Sequence, residues 1–139
     1  MKARAVEGLD PAGPLRPNVA RILATRLGEL RGFASSALAP EAGKEQHDMR
    51  IAAKRLRYVL ELFGPCLGDE AEEARAAAKR LQSVLGNLHD CDLLLGKVEG
   101  IGSVEAVLGE RRERLFREFV ELWQAEASKG TWAALEASL

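Results

Sequence analysis

The stretch HDMRIAAKRLRYVLELF, His47 to Phe63, decides the fold. Placed on a helix at about 100° per residue, Met49, Ala52, Ala53, Leu56, Val59, Leu60 and Phe63 form one apolar face. His47, Arg50, Lys54 and Arg57 then recur at i, i+3, i+7 and i+10, in a single row along one edge. Neighbours in such a row lie about 5–6 Å apart, and like charges at that spacing repel. No acid falls between Arg50 and Arg57, in a chain whose formal net charge is only −1. An exposed face usually interleaves its charges, so this row is expected to meet an anion. Ile51, Tyr58 and Leu62 border it with apolar bulk, as the lining of a groove would. Arg55 projects roughly 80° or more off the row and ranks below the others for contact.

Outward from this helix, Gly64-Pro65 stops it and Pro40 with Gly43 precede it. Residues 1–17 carry Gly8, Pro11, Gly13, Pro14 and Pro17 and read as an irregular arm. Residues 18–139 read as one helical domain. Asn18 is a candidate N-cap for a first helix to about Leu38. A third helix begins after Asp69, with acids in its first turn that complement the helix dipole, and runs to Leu95 or Gly96. Ser103 is expected to cap a fourth helix to about Ala127, and a short tail helix follows Gly130 through Trp132 and Leu135. Short connections between helices predict an all-α, antiparallel four-helix bundle with a short C-terminal helix. Val19, Leu23, Leu30, Phe33 and Ala37 supply the first helix's stripe, and Val104, Leu108, Leu115, Phe119 and Leu122 that of the fourth.

Charges interrupt these stripes. Arg26 breaks the first, Arg112 the fourth, and Asp92 breaks the run Leu81, Leu85, Leu88, Leu95 of the third. A buried charge needs a partner or a cavity. Asp92 is therefore expected in a structural ion pair with Arg26 or Arg112. Those two arginines also qualify for the rim of an anion site, because an acid that orients a guanidinium leaves its other donors free for phosphate. Lys79 and Arg80, in mid-helix three, are expected to extend the basic surface.

At 139 residues the chain is the size of one domain with its own core. Apolar residues make up 47% and aromatics only 5%, which favours helices over strands. Cys66 and Cys91 are too few and too distant for a disulfide framework. With no signal-like or membrane-length apolar run, a cytoplasmic setting with free thiols is expected. An isoelectric point near 6.2 argues against a general nucleic-acid coat, so nucleic acid is not the expected partner.

The helix-two stretch resembles the signature of the CHAD family, the conserved histidine α-helical domain, through His47, Arg50, Lys54, Arg55 and Arg57. LQSVLGNLHDCDLLL, Leu81 to Leu95, is similar to a second family element, with Asp90 and Asp92 in place and His89 where an arginine is usual. The opening KARAVEGLDPAGPL and the later FREFVELW also look familial. The resemblance implies an all-helical domain that binds inorganic polyphosphate through a basic channel and has no catalytic activity of its own. Association with polyphosphate granules would follow. It implies ligand contact at His47, Arg50, Lys54, Arg55 and Arg57, and the charge pattern read above adds Lys79, Arg26 and Arg112 in support. Family members usually hold two pseudo-repeated halves, and this chain carries one copy of the motifs, which points to a homodimer.

Other classes fare worse on the residues. His89-Asp90 spells the dipeptide of metal-dependent phosphohydrolases, but such sites need several histidines and the chain has two. His89, Cys91 and Asp92 diverge around one helix and make a poor zinc set. No triad or Gly-rich loop marks nucleophilic catalysis, so neither metal nor cofactor is expected. A structural bundle that docks protein partners is the remaining alternative.

Overall fold

The computed structural model describes residues 1–139 and is all-helical. Helix α1 spans Leu15–Arg31, α2 Gly43–Phe63, α3 Asp69–Lys97, α4 Gly102–Lys129 and α5 Thr131–Ser138. Short 3-10 turns at Ser36–Leu38 and Gly64–Cys66 join α1 to α2 and α2 to α3. Pro65 lacks the N–H that another α-helical turn would need, so α2 ends there in the tighter turn. Asp69, Glu70 and Glu72 open α3 and Lys97 closes it, each at the dipole end that favours its charge. Gly130 joins α4 to α5 alone, at φ 74°, a left-handed conformation that glycine adopts without strain. No helix is long and apolar enough to cross a membrane.

Helix α1 departs from its expected bounds at both ends. It starts at Leu15, upstream of Asn18, because Pro17 falls within the first turn, where the missing N–H has no helical partner to lose. Asn18 is instead a clasp: its side chain accepts from the Asp10 N–H at 2.9 Å and donates to the Asp10 carbonyl at 2.6 Å. The arm is further held by Glu29, which accepts from the Arg4 N–H and is itself buried. At the other end Gly28 and Gly32 weaken the helix. The Phe33 and Ala34 N–H groups turn to carbonyls three residues back, at 3.2 and 3.0 Å. Ala37 still reaches the core and Phe33 packs against it.

Helices α1, α2, α3 and α4 pack in sequence order, and α5 packs on α3 and α4. Helix α5 is also tied to α1, by an Arg31–Glu136 ion pair and by Arg16 donating to the Ser138 carbonyl at 3.3 Å. Trp132 of α5 stacks on Trp123 of α4 with ring centroids 5.8 Å apart. The short last helix thus closes the bundle between its first and fourth members.

The stripe expected on α4 is buried only in its second half. Leu115, Phe119 and Trp123 are core, whereas Leu108 is half-buried and Val104 is 38% exposed. Length explains the difference. Helix α2 begins at Gly43, beside Asp92, so α3 beyond Asp92 and α4 before Arg112 overhang the rest of the bundle. On that overhang Leu93, Leu94, Ile101, Val104 and Val107 remain exposed. Phe119→Ala should therefore cost about 3–5 kcal/mol of stability. Val104→Ala should change it by no more than about 0.5 kcal/mol. Urea unfolding followed by circular dichroism measures both, and equal losses would return Val104 to the core.

Candidate functional site

The most extensive helix pair is α2 against α3, and both helices carry buried alanines, Ala52 and Ala53 on α2 and Ala74, Ala77 and Ala78 on α3. Side chains this small let two helices approach closely, so the longer polar residues at the seam lie across the neighbouring helix. Three contacts fix the antiparallel register. The His47 and His89 rings stack with centroids 3.9 Å apart and planes 23° from parallel. The Arg50 Nε lies 3.2 Å from where a Cβ on Gly86 would stand. Arg75 reaches Glu61 at 3.8 Å. The same register sets Lys54 beside Gln82 and Arg57 beside Lys79. Two rows therefore run together, His47, Arg50, Lys54 and Arg57 on α2, and His89, Gly86, Gln82 and Lys79 on α3.

Hydrogen-bonding capacity is left over along this seam. His47 Nδ1, Arg50 Nε and Gln82 Oε1 are buried atoms with no hydrogen bond inside the chain. Neither Arg50 nor Lys54 has an acid within ion-pair distance. Arg57 is partly engaged: its Nε is 3.5 Å from Glu61 without hydrogen-bond alignment, and its guanidinium lies 4.8 Å from the Tyr58 ring centroid. Arg55 leaves the row, as its angle requires, and donates to the Met1 carbonyl at 2.7 Å. Lys79 is exposed beside a shallow recess that Glu118 and Leu122 also line. Arg80 turns toward α4, where it pairs with Glu126 at 2.7 Å.

At the His47 end the seam opens into a cleft of about 640 Å³, bounded by Pro40, Glu41, Gly43 and Lys44 on one side and His89, Asp92 and Arg112 on the other. Arg112 organises it. Its Nε donates to Asp92 at 2.5 Å, one terminal nitrogen to the Pro40 carbonyl at 2.7 Å, and the other to the Gln46 side-chain oxygen at 2.9 Å. Gln46 is buried and donates in turn to the carbonyls of Ala39, at 2.9 Å, and Ala37, at 3.2 Å. Four parts of the chain are pinned by one guanidinium. Of the two partners open to Asp92, Arg112 is the one found. Arg26 bonds Glu29 at 2.8 Å within α1 and shares no bond with the row. Burial, then His89 and Arg50, hold the His47 imidazole below its ordinary pKa, and Asp48 opposes them.

Sequence reasoning missed three residues here: Gln46, Gln82 and Gly86. Gly86 did carry a signal. A glycine in a helix interior costs roughly 0.5–1 kcal/mol relative to alanine, so one between Leu85 and Asn87 needs a reason, and the Arg50 side chain is that reason. Gln46 and Gln82 carried none, because a glutamine reads alike on a wet face and in a buried network.

The family model described as CHAD domain matches residues 2–99. No curated protein and no solved structure matches the chain.

Two outcomes follow from this geometry. Asp92→Ala removes a charge-assisted partner from a guanidinium whose side chain is only 17% exposed, and should cost about 1.5–3 kcal/mol, against under about 0.5 kcal/mol for exposed Asp90→Ala. Thermal unfolding of the two variants compares them. Gly86→Ala should leave stability unchanged or raise it by up to about 1 kcal/mol through helix propensity. Its methyl pushes Arg50 off α3, so anion affinity should fall although the fold does not weaken; a binding titration alongside the melt reads both.

Proposed function

The chain belongs to the CHAD family, and we propose that it binds inorganic polyphosphate along the α2–α3 seam without hydrolysing it. The CHAD domain is in general a polyphosphate-binding, non-catalytic module. The observation that carries the reading for this chain is a pair of half-buried cations, Arg50 and Lys54, left without acids, whereas the other unpaired cations are exposed or, like Arg55, bonded to a carbonyl. A row from His47 to Arg57 extends about 15 Å, which suits a linear polyanion. Arg50 and Arg57 offer forked donors to phosphate oxygens, and Lys54 and Lys79 offer compact point charges. The seam is open toward solvent, and a second copy facing it about a two-fold axis would enclose the bound chain.

Binding of size-fractionated polyphosphate, with duplex DNA and RNA as competitors, tests the proposal. Affinity should fall steeply with salt through counterion release. The double variant Arg50→Ala, Lys54→Ala should lose at least about tenfold in affinity and show a shallower salt dependence, with its helical circular dichroism retained. No orthophosphate should appear over hours with magnesium, manganese or no added metal. Unchanged affinity in the double variant would return the row to an ordinary solvated face.

A further inference from the structure

The His47–His89 stack has no structural need to be made of histidines. Any two flat or apolar side chains would fill the same seam, whereas here two titratable rings lie 3.9 Å apart at the floor of a cleft. One ring nitrogen, His47 Nδ1, is buried and unbonded within the chain. The charged groups around the pair come from every element that meets there. From α2 come Lys44, Asp48 and Arg50; from the segment before it, Glu41; from α3, Asp92; from α4, Arg112; and the Met1 amino group lies 4.0 Å from Asp48. Most of the acids are already taken. Asp92 is held by Arg112 at 2.5 Å, and Asp48 by Lys44 at 2.9 Å. Glu41 is exposed at the rim, where solvent screens it. An imidazolium on His47 would thus face Arg50, the Met1 amino group and a second ring, offset only in part by Asp48, which already meets Lys44 and the Met1 amino group.

We propose that His89 joins His47 in a proton-loaded oxyanion clamp, in which a phosphate group seated in the cleft is the missing counter-charge and is bound together with protons drawn from solvent. The inference rests on the polyphosphate reading above and adds to it a ligand residue, His89, and a pH dependence. Neutral, the two rings stack and each offers one N–H; protonated, each offers two donors and a positive charge. Two like charges at this separation repel, so the doubly charged pair needs the anion beside it. Binding of the anion and of protons must then promote each other equally.

The free chain should respond to acid in the opposite sense. His47 is held below its ordinary pKa in the folded chain. The unfolded chain therefore binds more protons as pH falls past about 6.5, and the free protein loses stability on acidification. A bound polyanion should cancel or reverse that loss.

The experiment is a titration of the full chain with long-chain polyphosphate between pH 8 and pH 5.5, in two buffers of different ionisation enthalpy, at constant ionic strength. The interior phosphoryl groups of such a chain stay ionised throughout, so the proton count belongs to the protein. Affinity should rise roughly tenfold per pH unit for each proton taken up, with uptake seen directly as a buffer-dependent heat. His89→Ala should flatten this slope at the weaker, high-pH affinity. His89→Arg should flatten it at the tighter, low-pH affinity, since a permanent cation replaces the titrating one. Circular dichroism checks the helices of both variants. An affinity flat across the range with no proton uptake, while the Arg50→Ala, Lys54→Ala variant still binds weakly, would remove the clamp and leave the seam. An unchanged slope in His89→Ala would remove His89 from it. Absence of binding at every pH would overturn the polyphosphate reading itself, and the clamp with it.

Discussion

The close approach of α2 and α3 is the constraint on which the site depends. Both helices bury alanines, Ala52 and Ala53 on α2 and Ala74, Ala77 and Ala78 on α3, and small buried side chains favour close packing of helices. Polar side chains at the edge of that contact must lie flat across the partner helix. Arg50 does so over Gly86, and the His47 ring does so against His89. Lying flat orders these groups before any ligand arrives, which lowers the entropic cost of holding long side chains in one geometry. A freely solvated row with the same charges would lack that advantage.

Arg112 supplies the complementary constraint at the open end. Its bonds to Asp92, Gln46 and the Pro40 carbonyl join α4, α3, α2 and the segment entering α2. The cleft therefore has fixed walls on both sides of the histidine stack. This network also separates arginines that spend their donors on the fold from those that do not. Arg26, Arg55, Arg80 and Arg112 are each bonded within the chain, to Glu29, the Met1 carbonyl, Glu126 and Asp92. Arg50 and Lys54 are not.

Period and charge in α2 were enough to read the helix, its core face and its row, because a 21-residue amphipathic helix repeats the same signal several times. The Asp92–Arg112 pair was half legible: a charge inside an apolar stripe demands a partner, but one sequence cannot say which of two arginines arrives. The start of α1 differs from the sequence expectation because Asn18 has the chemistry of a cap and spends it on Asp10 instead. Val104 and Leu108 fit the stripe of α4 by spacing, yet spacing carries no information on how far the neighbouring helices extend. Glu29 and Gln46, both buried, are polar residues that rely in part on groups distant in sequence, the Arg4 N–H and Arg112. Local pattern has no access to them.

The arrangement has a cost that locates its purpose. Cations in one row repel, buried donors without partners are unfavourable, and a glycine in mid-helix weakens α3. All three meet within the same two or three turns of the α2–α3 seam, where half-buried Arg50 and Lys54 lack acids, His47 Nδ1 and Arg50 Nε lack partners and Gly86 sits in mid-helix. A shortage of acids does not explain it, since acids outnumber lysines and arginines by 21 to 20. A glutamate at Lys54 or an alanine at Gly86 would each relieve part of the cost by a single change. Departures from stability that cluster in space and are this simple to repair are the mark of a surface shaped by what it binds. On the reading proposed for this seam, a phosphate polyanion would supply the negative charge the row lacks and acceptors for the donors the fold leaves free.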